Sequence, residues 1–165
     1  MGQQQLFLTL GAVVLFGIVT ISVNVNIARN TEAVYDQQIV AYAANLGQRF
    51  IEEAKTHAFD EASVVSVPAS IPGNFKAPGD LGPEGGEVYP NLDDVDDFHG
   101  YTATASTDMG EMSISIVVFY VLKTNLDTDA GGKTRYKKMT VTVTSSQLQA
   151  PVVLTYVFAF QKNAV

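Results

Sequence analysis

Residues 6–27, LFLTLGAVVLFGIVTISVNVNI, decide how this chain is read. No Asp, Glu, Lys or Arg precedes Arg29, and most of the stretch is Leu, Phe, Val, Ile, Ala and Gly. As a helix, these 22 residues reach about 33 Å, against a bilayer hydrocarbon core of about 30 Å. The stretch is too apolar for an exposed helix and too long for one buried core helix. Something beyond the chain's own small domain must cover it. A cleaved secretory signal starts with basic residues, has a shorter apolar core and ends at an Ala-x-Ala type site. Here the start is Gly2-Gln3-Gln4-Gln5, and Ala28 is the one small residue at the polar border. The segment is therefore expected to persist, either as a plain single-span anchor or as a span with a second use in a polymer.

Working outward, residues 28–59 read ARNTEAVYDQQIVAYAANLGQRFIEEAKTHAF, with no proline. Tyr35, Ile39, Tyr42, Leu46 and Phe50 recur at spacings of four, three, four and four, one stripe of a helix. Arg29, Glu32, Asp36, Gln37 and Glu52 lie mainly off that stripe. The spacing predicts an unbroken helix from about residue 3 to residue 57, roughly 80 Å long, ending near His57 to Asp60. Gly11, Gly17 and the β-branched residues that follow are poor helix formers, and Thr20, Ser22, Asn24 and Asn26 compete for backbone hydrogen bonds. Two forms stay open here: a continuous helix, or one locally extended between Gly17 and Asn24 when assembled.

The whole chain has 165 residues, which suits one domain plus an appendage. Net charge is −7, so no basic surface is available to hold nucleic acid, and no nucleic-acid partner is expected. There is no cysteine, which removes disulfides, thiol catalysis and cysteine metal sites.

From Ser63 to Gly100 the texture changes to loop, holding five of the six prolines. Phe75, Leu81, Val88, Tyr89 and Phe98 are its candidate anchors onto the domain. Period-two runs follow. YTATAST alternates. EMSISIVVFYVLKT puts Ile114, Ile116, Val118, Tyr120 and Leu122 on one face. RYKKMTVTVTSS puts Met139, Val141 and Val143 opposite Thr140, Thr142 and Thr144. PVVLTYVFAF puts Val152, Leu154, Tyr156, Phe158 and Phe160 on one face. NLDTDAGGK reads as the turn between the second and third runs. The expected fold is α+β: a long N-terminal helix, apolar then amphipathic, packed on a C-terminal antiparallel sheet of about four strands. Its parts are a hydrophobic half-helix (1–28), an amphipathic half-helix (29–60), a Pro/Gly-rich surface loop (61–100) and a β domain (101–165). Tyr35, Ile39, Tyr42, Leu46 and Phe50 are the expected helix-to-sheet contacts.

Chemical motifs are sparse. NLDDVDDFHG gathers Asp93, Asp94, Asp96 and Asp97, but the spacing fails the alternating acids, glycine and terminal glutamate of an EF-hand. A solvated loop capping the sheet is the expected reading, with no metal and no cofactor. Asp127 and Asp129 before Gly131 and Gly132 read as turn chemistry. His57 and His99 are the only histidines, one at the helix end and one in the acidic loop. No Gly-x-Ser-x-Gly, phosphate-binding or His-Glu-x-x-His pattern is present, and no enzymatic activity is expected. Lys133, Arg135, Lys137 and Lys138 lie on a strand, to guard an edge or to pair with acids of a neighbouring subunit.

An apolar half-helix that runs into an amphipathic half-helix carrying a late β-sheet resembles the type IV pilin superfamily of pilins, pseudopilins and archaeal pilins. The resemblance covers the whole layout, and its specific part is the first thirty or so residues. It implies a leader ending in glycine, for which Gly2 is the possible processing site. In the family a glutamate follows a few residues into the mature chain; here Gln3, Gln4 and Gln5 stand in that neighbourhood. A glutamine can hydrogen-bond a neighbour's N-terminal amine but cannot neutralise it. The resemblance further implies a subunit held in the inner membrane with its β domain outside. The pilus assembly machinery then extracts it into an extracellular helical homopolymer on the cell surface. Leu6, Phe7, Leu8, Leu10, Val13, Val14, Leu15, Phe16, Ile18, Val19 and Ile21 would be the filament-core contacts. The alternative is a single-span, membrane-anchored extracytoplasmic binding or minor pseudopilin-like domain.

Overall fold

The computed structural model describes residues 2–161. Residues 1 and 162–165, the outer ends of the expected half-helix and β domain, lie outside the described residues. The architecture is α+β: one long N-terminal helix and a five-stranded antiparallel sheet. The chain divides between Ile39 and Val40 into two compact units.

Helix α1 runs without interruption over Gln3–Ala54, 52 residues, which is about 78 Å of rise. Gly11 and Gly17 do not break it. Thr20 Oγ1 donates to the Phe16 carbonyl at 2.8 Å, and Asn24 Nδ2 donates to the Thr20 carbonyl at 3.0 Å. The polar side chains are thus folded back onto their own helix rather than competing with it. The helix ends at Ala54, a few residues before the expected His57 to Asp60. The reason is local. Thr56 Oγ1 donates to the Glu53 carbonyl at 2.7 Å, and the His57 amide reaches back three residues to Ala54 at 3.2 Å. These tighter bonds satisfy the last carbonyls and stop the helix.

In the second unit, the buried helix stripe runs through Ala43, Gly47, Phe50, Ile51 and Ala54, with Leu46 half-buried. Ile39, at the end of the first unit, is also buried. Tyr42, expected on the packed face, is instead 41% exposed; Tyr35, in the first unit, is 45% exposed. The packed face is lined by small residues that an apolar-only pattern passes over. A Cβ on Gly47 would lie 2.6 Å from Leu154 Cδ1 and 3.5 Å from both Val141 Cγ1 and Val143 Cγ2. The helix rests on the sheet at this glycine.

The strands are β1 (Thr102–Thr107), β2 (Gly110–Leu122), β3 (Asn125–Asp129), β4 (Tyr136–Ser145) and β5 (Val152–Ala159). Their order is β1-β2-β4-β5, with β3 also paired to β2. Alternation places Met112, Ile114, Ile116, Val118 and Tyr120 in the core from β2, and Met139, Val141 and Val143 from β4. Two expectations are corrected. NLDTD is a fifth strand, not a turn: Asn125 pairs Leu122 and Asp129 pairs Val121. The register slips between Val121 and Leu122, so Val121 is buried and Leu122 faces outward. A one-residue slip exchanges the faces of every later side chain.

The segment between α1 and β1 has three short 3-10 turns, Glu61–Ser63, Pro78–Asp80 and Asp96–Phe98, and packs closely. Phe75, Leu92, Val95 and Phe98 are buried, Leu81 and Tyr89 are half-buried, and Val88 is exposed. A parallel bridge joins Ala58 to Asp94. Through it the Ala58 amide donates to Asp93 O at 3.1 Å and the Val95 amide to Ala58 O at 3.0 Å.

Candidate functional site: an exposed apolar half-helix

α1 is apolar by length and composition over enough residues to cross a membrane, and the apolar window is wholly unburied. Leu6, Phe7, Leu8, Leu10, Val13, Val14, Leu15, Phe16, Ile18, Val19 and Ile21 are all exposed, from 54% at Val14 to 74% at Leu8 and Phe16. These positions cover every direction around the helix. A helix apolar all round is a buried helix, in lipid or among other helices. The same chain buries Ile39, Phe50 and Ile51 almost completely lower down the same helix. At about 25 cal/mol per Å², each exposed Leu, Ile or Phe left in water forgoes about 1.5–3 kcal/mol. Gly2 and Gln3 to Gln5 are exposed at the start of this segment, with the Gln5 amide donating to the Gly2 carbonyl at 3.0 Å. No charged side chain interrupts residues 2–28.

The globular unit carries a second constellation, which sequence reasoning did not assemble. Lys137 is wholly buried beneath the acidic loop. Its Nζ donates to Asp60 Oδ2 at 2.8 Å, to the Phe59 carbonyl at 2.7 Å and to Asp96 Oδ1. It also sits over the Phe59 ring, 4.6 Å from the centroid. Tyr120 Oη donates to Asp60 Oδ2 at 3.0 Å, and burial together with the Asp60 charge pushes its ionisation upward. Asp60 Oδ1 in turn accepts from the Ala62 and Lys76 amides at 3.3 and 3.2 Å. One carboxylate thus ties the helix end, the loop, β2 and β4 together.

The basic cluster does not sit on one strand: Lys133 and Arg135 precede β4, and only Lys137 and Lys138 lie on it, where they guard no edge. β4 is an interior strand, flanked by β2 and β5. Lys137 points inward, while Lys138 pairs with Asp127 at 2.8 Å and Lys133 Nζ donates to the Gly73 carbonyl at 3.1 Å.

The acidic loop is not a solvated cap either. Asp94, Asp96 and Asp97 are fully buried and Asp93 is half-buried. Asp94 Oδ1 accepts the Asp96 and Asp97 amides at 2.7 and 3.1 Å; Asp97 Oδ2 accepts the Asp93 and Asp94 amides at 3.1 and 3.3 Å. Burial, then the charge of Asp96, push the Asp94 carboxyl up to about 9. Burial also raises Asp97.

His99 Nδ1 lies 2.7 Å from the Val118 carbonyl oxygen, and the His57 ring packs on Phe98 with centroids 5.8 Å apart. Both imidazoles thus brace the loop against its neighbours.

No known protein family, characterised protein or solved structure matches this chain.

Proposed function

We propose that this chain is the structural subunit of an extracellular type IV pilus-like filament, held in the inner membrane by residues 6–27 before assembly and polymerising through them afterwards. One observation carries the reading: an apolar half-helix exposed on all its faces, continuous with a helix whose other end is packed into a folded α+β unit. Lipid can cover such a segment in the membrane, and copies of it can cover one another in a polymer. Contacts that repeat head to tail without closing give an open helical filament. Many apolar residues per subunit make the polymer hard to dissociate. The uncharged start at Gln3, Gln4 and Gln5 supplies hydrogen-bonding groups to a neighbouring subunit. The partners are then other copies of the chain, the membrane and a pilus assembly machinery.

The match between an uncharged, mostly apolar segment of 22 residues and about 30 Å of hydrocarbon favours a second reading. In it the helix is only an anchor, for an extracytoplasmic binding domain or a minor pseudopilin-like component. An intact-mass spectrum of material sheared from the cell surface separates the two. The filament reading expects this chain to dominate the sheared fraction, with the mass revealing whether Met1-Gly2 is removed. A chain found only in washed membranes, and missing from the sheared fraction, overturns the filament reading.

A further inference from the structure

Next to the Lys137 network, on its loop side, six carboxylates converge. Carboxylate oxygens of Glu61, Asp93 and Asp94 lie within 4.8 Å of one another; so do those of Glu61, Glu84 and Glu87, and those of Glu87, Asp93 and Asp97. The three sets share members, so they form one connected patch built from the turn after α1 and the loop before β1. Asp94 and Asp97 are completely buried, and each has one oxygen pinned by two backbone amides. The other oxygen of each, Asp94 Oδ2 and Asp97 Oδ1, is buried with no hydrogen-bond partner, as are Asp93 Oδ1 and Glu84 Oε2. Buried carboxylate oxygens are ordinarily paired, because leaving one bare forfeits its hydration. Of the nearby ammonium groups, Lys137 is engaged with Asp60 and Asp96, and Lys76 reaches the patch only at Glu84, its other partners being Asp96 and the Gly82 carbonyl.

We infer that this patch binds calcium around Asp93, which forms one donor triad with Glu61 and Asp94 and a second with Glu87 and Asp97. The donor set is all oxygen and mostly carboxylate, which suits a hard cation. Its ligands come from irregular backbone at uneven spacing. That suits the six to eight flexible ligands of calcium better than the tight octahedron of magnesium. The half-exposed rim at Glu87 and Asp93 gives an ion a way in. The patch crowds like charges together, and a divalent cation would remove that repulsion. The ion would fasten a Pro/Gly-rich loop that has little regular structure of its own. The inference holds for a filament subunit and for an anchored domain alike.

The test uses the full chain in a non-ionic detergent, stripped of metal by chelation. Equilibrium dialysis against radioactive calcium counts the ions, and thermal unfolding is followed by near-ultraviolet circular dichroism. We expect one calcium per chain with a Kd of about 0.1–1 mM, as in extracellular modules. Calcium at tenfold above Kd should raise Tm by several degrees, and magnesium should bind at least tenfold more weakly. Asp94→Asn keeps the Oδ1 acceptor for both amides and replaces only the bare oxygen, so calcium affinity should fall at least tenfold. Glu87→Gln, at the rim, should weaken binding as well and locates the site should Asp94→Asn fail to fold. Asp127→Asn, on β3, should bind like wild type. Wild type that takes up no calcium and shows no Tm shift at 10 mM calcium overturns the inference. So does wild-type affinity in both Asp94→Asn and Glu87→Gln.

Discussion

Lys137 is a fully buried cation held by Asp60, Asp96 and the Phe59 carbonyl. Removing one partner of such a set strands the opposite charge in a low dielectric. Lys137→Met should therefore cost about 3–5 kcal/mol of stability. Denaturant unfolding of the detergent-solubilised chain, followed by tyrosine fluorescence, measures it. Adding Asp60→Asn and Asp96→Asn to Lys137→Met should recover part of the loss, because the stranded charges go with it. Asp94 gives a second prediction, with the opposite logic. Its carboxyl is raised to about 9, above an ordinary 3.8, so the folded chain binds a proton that the unfolded chain has already lost. That contribution is fully present below pH 4 and is lost as pH rises through about 9, by up to about 1.4 kcal/mol per pH unit. In chelator, Asp94→Asn should match wild type near pH 4 and be the more stable chain at pH 8. Equal pH slopes for the two would refute it. Part of this was legible in the sequence. Lys137 stands two residues before Met139 on the same face of a strand whose Met139, Val141 and Val143 point inward, so its burial follows from the alternation. The burial of Asp94, Asp96 and Asp97 was not legible, because no periodicity governs a loop and the Ala58–Asp94 bridge joins distant residues.

At the scale of elements, α1 and the strands were read from two periodicities, and their failures share a cause. Large apolar side chains mark a stripe, but small ones decide how closely a helix sits on a sheet. Tyr42 is the larger side chain but stays 41% exposed, whereas Ala43, Gly47 and Ala54 make the close face. Gly47 can test this. Gly47→Ala presses mainly on the far end of the Leu154 side chain and gains helix propensity worth about 1 kcal/mol, so it should be close to neutral. Gly47→Val adds branches toward Val141 and Val143 and should cost about 1–3 kcal/mol. Urea midpoints of the two variants check the order. Phe50 packs its ring against Tyr89 and Tyr101 with centroids 6.0 and 5.5 Å apart. Phe50→Ala should accordingly cost about 3–5 kcal/mol in the same assay. The fifth strand escaped the sequence reading because NLDTD carries turn residues throughout. It pairs only at Asn125 and Asp129, after a bulge that no alternation signals. Asn125 Oδ1 accepts the Asp127 amide at 3.1 Å and Asp129 Oδ1 the Gly131 amide at 2.8 Å, so these residues still do turn chemistry at the strand's two ends.

At the scale of the whole molecule, charge and hydropathy are separated along the chain. All ten Lys and Arg and all seventeen Asp and Glu lie from Arg29 onward, and the preceding half-helix is uncharged. Such a chain is incomplete in water and becomes complete only when residues 6–27 are covered. The covering medium sets what a substitution there does. In lipid, an apolar truncation such as Phe16→Ala leaves the segment long and apolar enough to span, and an anchored domain stays anchored. In a filament core, the same truncation removes packing from every subunit along the polymer, and a charge is worse still. An aspartate buried there without a partner costs several kcal/mol per copy. Val14→Asp should thus abolish filaments while the α+β unit keeps its unfolding free energy to within about 0.5 kcal/mol, as a surface change away from its core should. Phe16→Ala should leave the chain in the membrane fraction and lower the yield of sheared filaments. Electron microscopy of the sheared fraction, with the membrane fraction probed in parallel, reads both variants. Normal filaments from Val14→Asp would mean that residues 6–27 never enter a polymer core. The helix would then serve only the bilayer.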